Sequence, residues 1–325
     1  MVFANSKVAV SSWAWHDAFY KGDFSLIDVP AKANALGIYH VELNDFMLPP
    51  GRLSRTRAFF ATLINKSPSH PSLKRYVPST MRKLKNELKK NKVQCNSWTV
   101  DSDLTGSESM WRNELQYILK AWQAAADLDA TYLRITLGGT EHIGDHIDDL
   151  VARRLNMLAA LGNMFYPSVK LLVENHWGIS TNISRFLNIV NQADDVGVCF
   201  DPGNVPFAKR RDDWSRLASR AEMFHLKVFN LDHSKIDQEI EYDFLFNLLA
   251  HEYFAGPCVI EYEGNGNPDE SVREIFAQMM SWQRSTNTQK VEPKKVKPKN
   301  KKASISSFYK PVSAGVISLQ DSQAQ

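Results

Sequence analysis

Lys170-Leu-Leu-Val-Glu174-Asn-His176, Val196-Gly-Val-Cys-Phe-Asp201-Pro-Gly-Asn204, Ala221-Glu-Met-Phe-His225-Leu-Lys227 and Pro257-Cys-Val-Ile-Glu261-Tyr-Glu263 follow one another along the chain. Each is a short apolar run that ends in a side chain able to bind a metal: Glu174, Asp201, His225 and Glu261. Apolar runs of this length between turn signals read as parallel strands buried on both faces. Helical segments separate them, so strand and helix alternate. In a β/α barrel every strand points its C-terminal end at one mouth, where active sites form. The four side chains are therefore expected to converge there, although they are distant in sequence. A lone Glu after a strand is commonly a helix cap, and a lone His there is commonly a hydrogen-bonded near-core residue. Recurrence at the same position of four consecutive strands is what points to a site. Three carboxylates and one imidazole suit one divalent ion such as Mn²⁺, Mg²⁺, Co²⁺ or Zn²⁺.

Outside this stretch the same alternation continues toward the N-terminus. Val8–Ser12, Tyr39–Asp45, Val93–Thr99 and Thr131–Thr136 read as the first four strands, with helices predicted over 24–36, 80–90, 109–128 and 147–161. Helices over 182–190, 213–219, 242–251 and 269–282 complete eight β/α units. A chain of 325 residues holds one such barrel, typically about 250 residues, plus a tail. The expected division is a barrel over residues 1–284, interrupted after strand two by an insertion over 46–78, and a disordered tail over 285–325. The insertion carries Arg52, Arg55, Arg57, Lys66, Lys74 and Arg75, and reads either as a solvated excursion or as a basic flap for an anionic substrate. At the mouth, Trp13 is a candidate wall of the pocket, Glu42 and His176 are candidate substrate contacts, and Lys227 is placed to hold a hydroxyl, carboxylate or phosphate. Glu42 reads equally as a structural hydrogen-bonding residue. Arg134, inside a strand, must pair with a carboxylate, and the Gly138-Gly139 pair would let backbone approach a ligand or simply make a turn.

Composition excludes several classes. No apolar run approaches a membrane span, and the start lacks a signal-peptide pattern, so a cytoplasmic location is expected, or a nuclear one in a cell with a nucleus. Cys95, Cys199 and Cys258 have no CxxC spacing and read as buried core thiols. The tail from Ser285 holds eight Lys against one Glu and one Asp, +6, leaving the body 31 basic and 34 acidic residues, −3. A mildly acidic body is a poor general surface for nucleic acid.

With Val173-Glu174-Asn175-His176, Phe200-Asp201-Pro-Gly-Asn204, His225-Leu-Lys227 and Ile260-Glu261 on the page, the chain resembles the xylose isomerase-like TIM-barrel superfamily. Ser11-Ser-Trp13 and Gly37-Ile-Tyr-His-Val-Glu42-Leu-Asn44-Asp45 are similar to the opening of many of its members. The superfamily includes sugar phosphate isomerases and epimerases, ketose 3-epimerases, hydroxypyruvate isomerase and inosose dehydratase. The resemblance implies that Glu174 and Glu261 serve both as ligands and as an acid/base pair on a small sugar or hydroxy-carbonyl substrate, through an enediolate. Endonuclease IV shares the fold and these four ligands but uses further His and Asp ligands for three zinc ions. Here Asn204 stands where one extra His would lie, and no His ends strand three.

The tail reopens the alternative. Lys302-Ala-Ser-Ile305-Ser-Ser-Phe308-Tyr309 is similar to the PCNA-interacting peptide, with Ile305, Phe308 and Tyr309 at the anchor positions and Lys302 in place of the Gln. The preceding basic run, Pro293 to Lys302, reads as a solvated linker, a nuclear-import signal or a nucleic-acid patch. A repair hydrolase recruited to a PCNA-type sliding clamp is the second expectation, a metal-dependent isomerase or epimerase the first.

Overall fold

The computed structural model describes residues 7–49, 70–229, 231, 237 and 239–288, the last five by backbone alone. Eight parallel strands close into a barrel in sequence order: β1 (Val8–Ser11), β2 (His40–Asn44), β3 (Gln94–Thr99), β4 (Tyr132–Ile135), β5 (Lys170–Glu174), β6 (Gly197–Phe200), β7 (Ala221–Val228) and β8 (Cys258–Tyr262). Pairing of Val8 with Cys258 and of Val10 with Ile260 shuts the ring. The helices among the described residues are α1 (His16–Lys21), α2 (Val29–Ala35), α3 (Pro78–Lys90), α4 (Glu108–Asp127), α5 (Asp148–Phe165), α6 (Ile183–Asn191), α7 (Arg210–Ala218), α8 (Tyr242–His251) and α9 (Pro268–Thr288).

Side-chain parity decides what lies inside the barrel. Successive residues of a strand point to opposite faces. Leu171 and Val173, Val198 and Phe200, Phe224 and Leu226, and Cys258 and Ile260 face outward and join the main apolar core with the helices. The alternate residues Leu172, Cys199, Met223 and Val259, with Ala9 of β1, form a separate buried cluster. Two residues further along, the same inward face carries Glu174, Asp201, His225 and Glu261. An apolar plug thus underlies a polar layer, and Glu42 and Arg134 share the inward face of β2 and β4.

Two expectations are corrected. His225 is not at a strand end. β7 runs on to Val228, because Leu226, Lys227 and Val228 pair with Ile260, Glu261 and Tyr262. A short helix, α1, follows the turn at Ser12–Trp15, where no helix was expected, and closes on Gly22 at φ 84°. Of the two readings of the Gly138-Gly139 pair, the close protein neighbours fit the turn. Both glycines have positive φ, and a Cβ on Gly138 would lie 2.5 Å from the Asp103 backbone.

Residues 50–69, the middle of the expected insertion, lie outside the described residues. Its return is anchored in the core. Tyr76 and Tyr117 both donate to Asp45 Oδ2, at 3.0 and 2.8 Å, and Trp98 Nε1 donates to the Tyr76 hydroxyl at 3.1 Å. Burial pushes the Asp45 carboxyl up to about 6 in spite of those bonds. The tail from residue 289, with Lys302, Ile305, Phe308 and Tyr309, also lies outside the described residues, and α9 runs to Thr288, past the expected barrel end at 284. No helix among the described residues is long and apolar enough to cross a membrane.

Candidate metal centre

Glu174 ends β5, Asp201 follows β6 directly, His225 is the fifth residue of β7 and Glu261 the fourth of β8. Each offers one ligand atom, and these atoms all lie within 4.8 Å of one another. All four side chains are buried. His225 Nδ1 is 3.3 Å from Glu174 Oε1, 3.5 Å from Glu261 Oε2 and 3.8 Å from Asp201 Oδ2, with no well-directed hydrogen bond to any of them. Glu174 Oε2 and Asp201 Oδ2 likewise lack a directed hydrogen bond, although each is paired with a cation, Arg134 Nε at 3.0 Å and Lys227 Nζ at 2.9 Å. Buried polar atoms are normally hydrogen-bonded, and three carboxylates gathered around a His225 Nδ1 that none of them bonds squarely is an arrangement a shared cation would satisfy. A carboxylate-rich donor set with one imidazole fits a divalent cation. Among the described residues this is the one such cluster.

The supporting residues fix the orientation of each candidate ligand. His225 Nε2 lies 3.1 Å from Glu42 Oε2, and Ser97 Oγ donates to the same oxygen at 2.9 Å. Glu42 thus holds the imidazole with Nδ1 turned to the centre, as carboxylates commonly do behind metal-bound histidines. It is fully buried, so its contact is with His225 rather than with a substrate. Asp201 Oδ1 accepts from the backbone N–H of Gly203 at 2.7 Å and of Asn204 at 3.3 Å, a turn that leaves Oδ2 for the centre. Asn175 clasps the same strand end, its side chain bonding both the N–H and the C=O of Asp201 at 2.8 Å.

Charge balance is the second feature. Arg134 Nε sits 3.0 Å from Glu174 Oε2, the carboxylate partner expected for a strand arginine, and Nη1 lies 3.4 Å from Asp101 Oδ1. Burial would raise the Glu174 carboxyl, but Arg134, His225 and His176 hold it well below the usual carboxylate range. Burial acts on Glu261 in the same direction and is likewise outweighed, by Lys227 and His225. Burial would lower the His225 imidazole, yet the surrounding carboxylates hold it well above its ordinary value. A divalent ion would have to displace that proton, so ion uptake should weaken as pH falls.

The remaining candidate residues fall around this core. Lys227 is buried and contacts Glu261 Oε2 at 2.6 Å, Asp201 Oδ2 at 2.9 Å and Glu263 Oε1 at 2.9 Å. Trp13 is half-buried, donates to Glu263 Oε1 at 3.0 Å and stacks on His16 with ring centroids 4.6 Å apart. It reaches the centre through Glu263 rather than directly. His176 is half-buried beside the exposed Trp177, its backbone N–H bonded to Ser180 Oγ at 3.0 Å. Asn204 was read only for the His it replaces, and here it donates to Glu174 Oε1 at 3.2 Å. Its signal in the sequence was its place three residues after Asp201, inside the turn that folds back on the centre. A cavity of about 930 Å³ opens at the opposite, N-terminal end of the strands, lined by Lys7, His40, Lys85 and Asn96 among others. It holds none of the converging ligand set.

Glu42→Gln is expected to keep the fold and to weaken divalent-ion binding about 10–100-fold, the usual effect of losing the group behind a metal-bound histidine. Calorimetric titration with Mn²⁺ measures this, and unchanged affinity would show that Glu42 does not orient His225.

Similarity to known proteins bears on the fold. The chain is similar to D-psicose 3-epimerase, solved in the presence of D-fructose, at 10% identity and TM-score 0.61, over 85% of this chain and 98% of that one. It is similar to an AP endonuclease, family 2, from Brucella melitensis at 15% identity and TM-score 0.59, over 84% and 98%. It is also similar to the IOLI protein with a bound zinc atom, at 10% identity and TM-score 0.57, over 85% and 97%. At such identities these likenesses speak for the fold alone. No curated protein sequence matches the chain. The model of the family described as xylose isomerase-like TIM barrel matches residues 58–285, most of the chain, and with the closed barrel this makes the protein a member of that family.

Proposed function

We propose that the protein is a divalent-metal-dependent isomerase or epimerase of a small sugar or hydroxy-carbonyl compound. The observation that carries this is the pair of buried carboxylates, Glu174 and Glu261, facing one point together with Asp201 and His225. Glu174, Asp201, His225 and Glu261 would hold the ion. When bound, a divalent ion polarises a substrate carbonyl and so acidifies the C–H beside it. The protein's own part is proton transfer. One glutamate, ionised by its cationic neighbours, accepts the proton from carbon. The other, once it has taken a proton from solvent, returns it to the adjacent carbon or to the opposite face, which gives isomerisation or epimerisation through an enediolate. Trp13 and His176 are the candidate contacts for the rest of the substrate.

A panel of ketohexoses and small hydroxy-ketones incubated in D₂O with Mn²⁺ tests this. The expected result is deuterium at the carbon beside the carbonyl of at least one compound, seen by NMR. Interconversion without any exchange from solvent would speak against the enediolate.

The family's endonuclease branch supports a second reading, a DNA-repair hydrolase. Two observations favour it: the likeness to AP endonuclease, family 2, and the tail motif Lys302 to Tyr309. A peptide spanning Pro293 to Ser313 is then expected to bind a PCNA-type clamp in the micromolar range, about −8 kcal/mol. Changing Phe308 and Tyr309 to Ala should abolish that binding, since buried apolar anchors carry most of such affinity. Equal binding by the double-Ala peptide, read by calorimetry, would reduce the attraction to the basic run. Against this branch, Asn204 stands where a further ligand His would be required.

A further inference from the structure

Lys227 occupies an unusual place for a lysine. Its ammonium touches Asp201 Oδ2 and Glu261 Oε2, at 2.9 and 2.6 Å, the oxygens of those residues that approach His225 Nδ1. The side chain is 2% exposed, so it cannot relax into water where it lies. Its stem is held by Gly203, where a Cβ would come within 2.7 Å of Lys227 Cγ and 3.1 Å of Cε. A third carboxylate, Glu263 Oε1, lies 2.9 Å away on the outer side and is itself held by Trp13. The inward carboxylates Glu42, Glu174, Asp201 and Glu261 together with Glu263 outnumber the cations Arg134, Lys227 and protonated His225, so the metal-free centre is anionic and the ammonium offsets part of that charge.

From this arrangement we propose that Lys227 is a resident cation of the centre. It holds Asp201 and Glu261 in the metal-free protein, competes with the divalent ion for them, and moves onto Glu263 when the ion binds. The proposal rests on the reading of Glu174, Asp201, His225 and Glu261 as a metal centre. It assigns Glu263 a role as the carboxylate that receives the displaced ammonium. Lys227 is thereby a determinant of ion affinity and not a free hand for substrate. Two positive charges a few ångströms apart in a buried site repel far more strongly than in water, so the competition has a large effect on affinity.

The two residues have opposite expected effects. Lys227→Met removes the competitor while keeping the length and apolar character of the stem. It should tighten Mn²⁺ binding at least about tenfold, a change equivalent to 1.4 kcal/mol. Glu263→Gln removes the receiving charge, leaves Lys227 on Asp201 and Glu261, and should weaken binding severalfold. Glu263 is the more exposed partner, 30% by side chain, so this variant is expected to fold. Calorimetric titration of the full chain with Mn²⁺ reads both, with circular dichroism as the check on folding. Thermal melting adds a second signal: Lys227→Met should melt lower than the wild type without ion, and the difference should narrow as Mn²⁺ saturates. Equal or weaker Mn²⁺ binding by Lys227→Met overturns the proposal. If that variant does not fold, unchanged or tighter binding by Glu263→Gln overturns it. If the wild type takes up no ion but Lys227→Met does, the resident cation stands and the wild-type metal centre falls. If neither takes up an ion, both fall.

Discussion

Replacing Glu261 or Glu174 by Gln is expected to leave the barrel folded and to remove roughly 10²–10⁴-fold of solvent deuterium exchange into a confirmed substrate, the usual contribution of a general acid or base. The size of the effect follows from where the two groups sit. Each is buried, 5% and 1% exposed respectively, and each is kept ionised by a different cation, Lys227 for Glu261 and Arg134 for Glu174. A Gln side chain has nearly the same shape and can still offer an oxygen to an ion, but it cannot take up a proton. The comparison is made at saturating Mn²⁺, with bound ion measured in the same samples, so that loss of proton transfer is separated from loss of the ion. Loss of exchange with the ion retained is the expected outcome. Undiminished exchange in both variants, ion bound, would remove Glu174 and Glu261 from the chemistry.

Arg134→Met is expected to have the largest effect on stability, about 3–5 kcal/mol, the range for removing one partner of a buried ion pair. Arg134 is 3% exposed and its Nε lies 3.0 Å from Glu174 Oε2. Without it, Glu174 keeps only the His225 and Asn204 contacts in a site that already holds an excess of carboxylate. Neutralising both members, Arg134→Met with Glu174→Gln, should recover much of the loss, because most of it is the uncompensated charge and not the missing contact. Urea unfolding of the metal-free single and double variants measures this. A single-variant loss within 1 kcal/mol, or a double variant no more stable than the single, would mean that the pair is not what steadies Glu174.

The barrel was legible because its strands are buried on both faces and separated by helical periodicity, a pattern that few other folds produce. The centre was legible for a related reason. An acidic or imidazole group that closes an apolar run is costly unless it has a partner, and Glu174, Asp201, His225 and Glu261 each close such a run. Parity extends the same logic to Arg134, whose pairing was expected, and to Glu42, for which a structural role was weighed beside a substrate contact. What stayed hidden was long-range pairing. That Glu42 stands behind His225, 183 residues away, and that Lys227 is engaged with three carboxylates, depends on which strands become neighbours across the ring. The length of β7 depends on its pairing with β8, which is equally invisible in its own residues. Helix α1 escaped notice because it is six residues long and all of it is at least partly exposed, so it leaves little apolar periodicity.

Elemental analysis of the purified full-length protein, loaded with Mn²⁺ and freed of loosely held ion, tests the central claim most directly. One tightly held divalent ion per chain is the predicted result, lost in Asp201→Asn and in His225→Ala. Two or three ions per chain would contradict a single centre and favour a multinuclear hydrolase. No retained ion at neutral pH would contradict the metal centre itself.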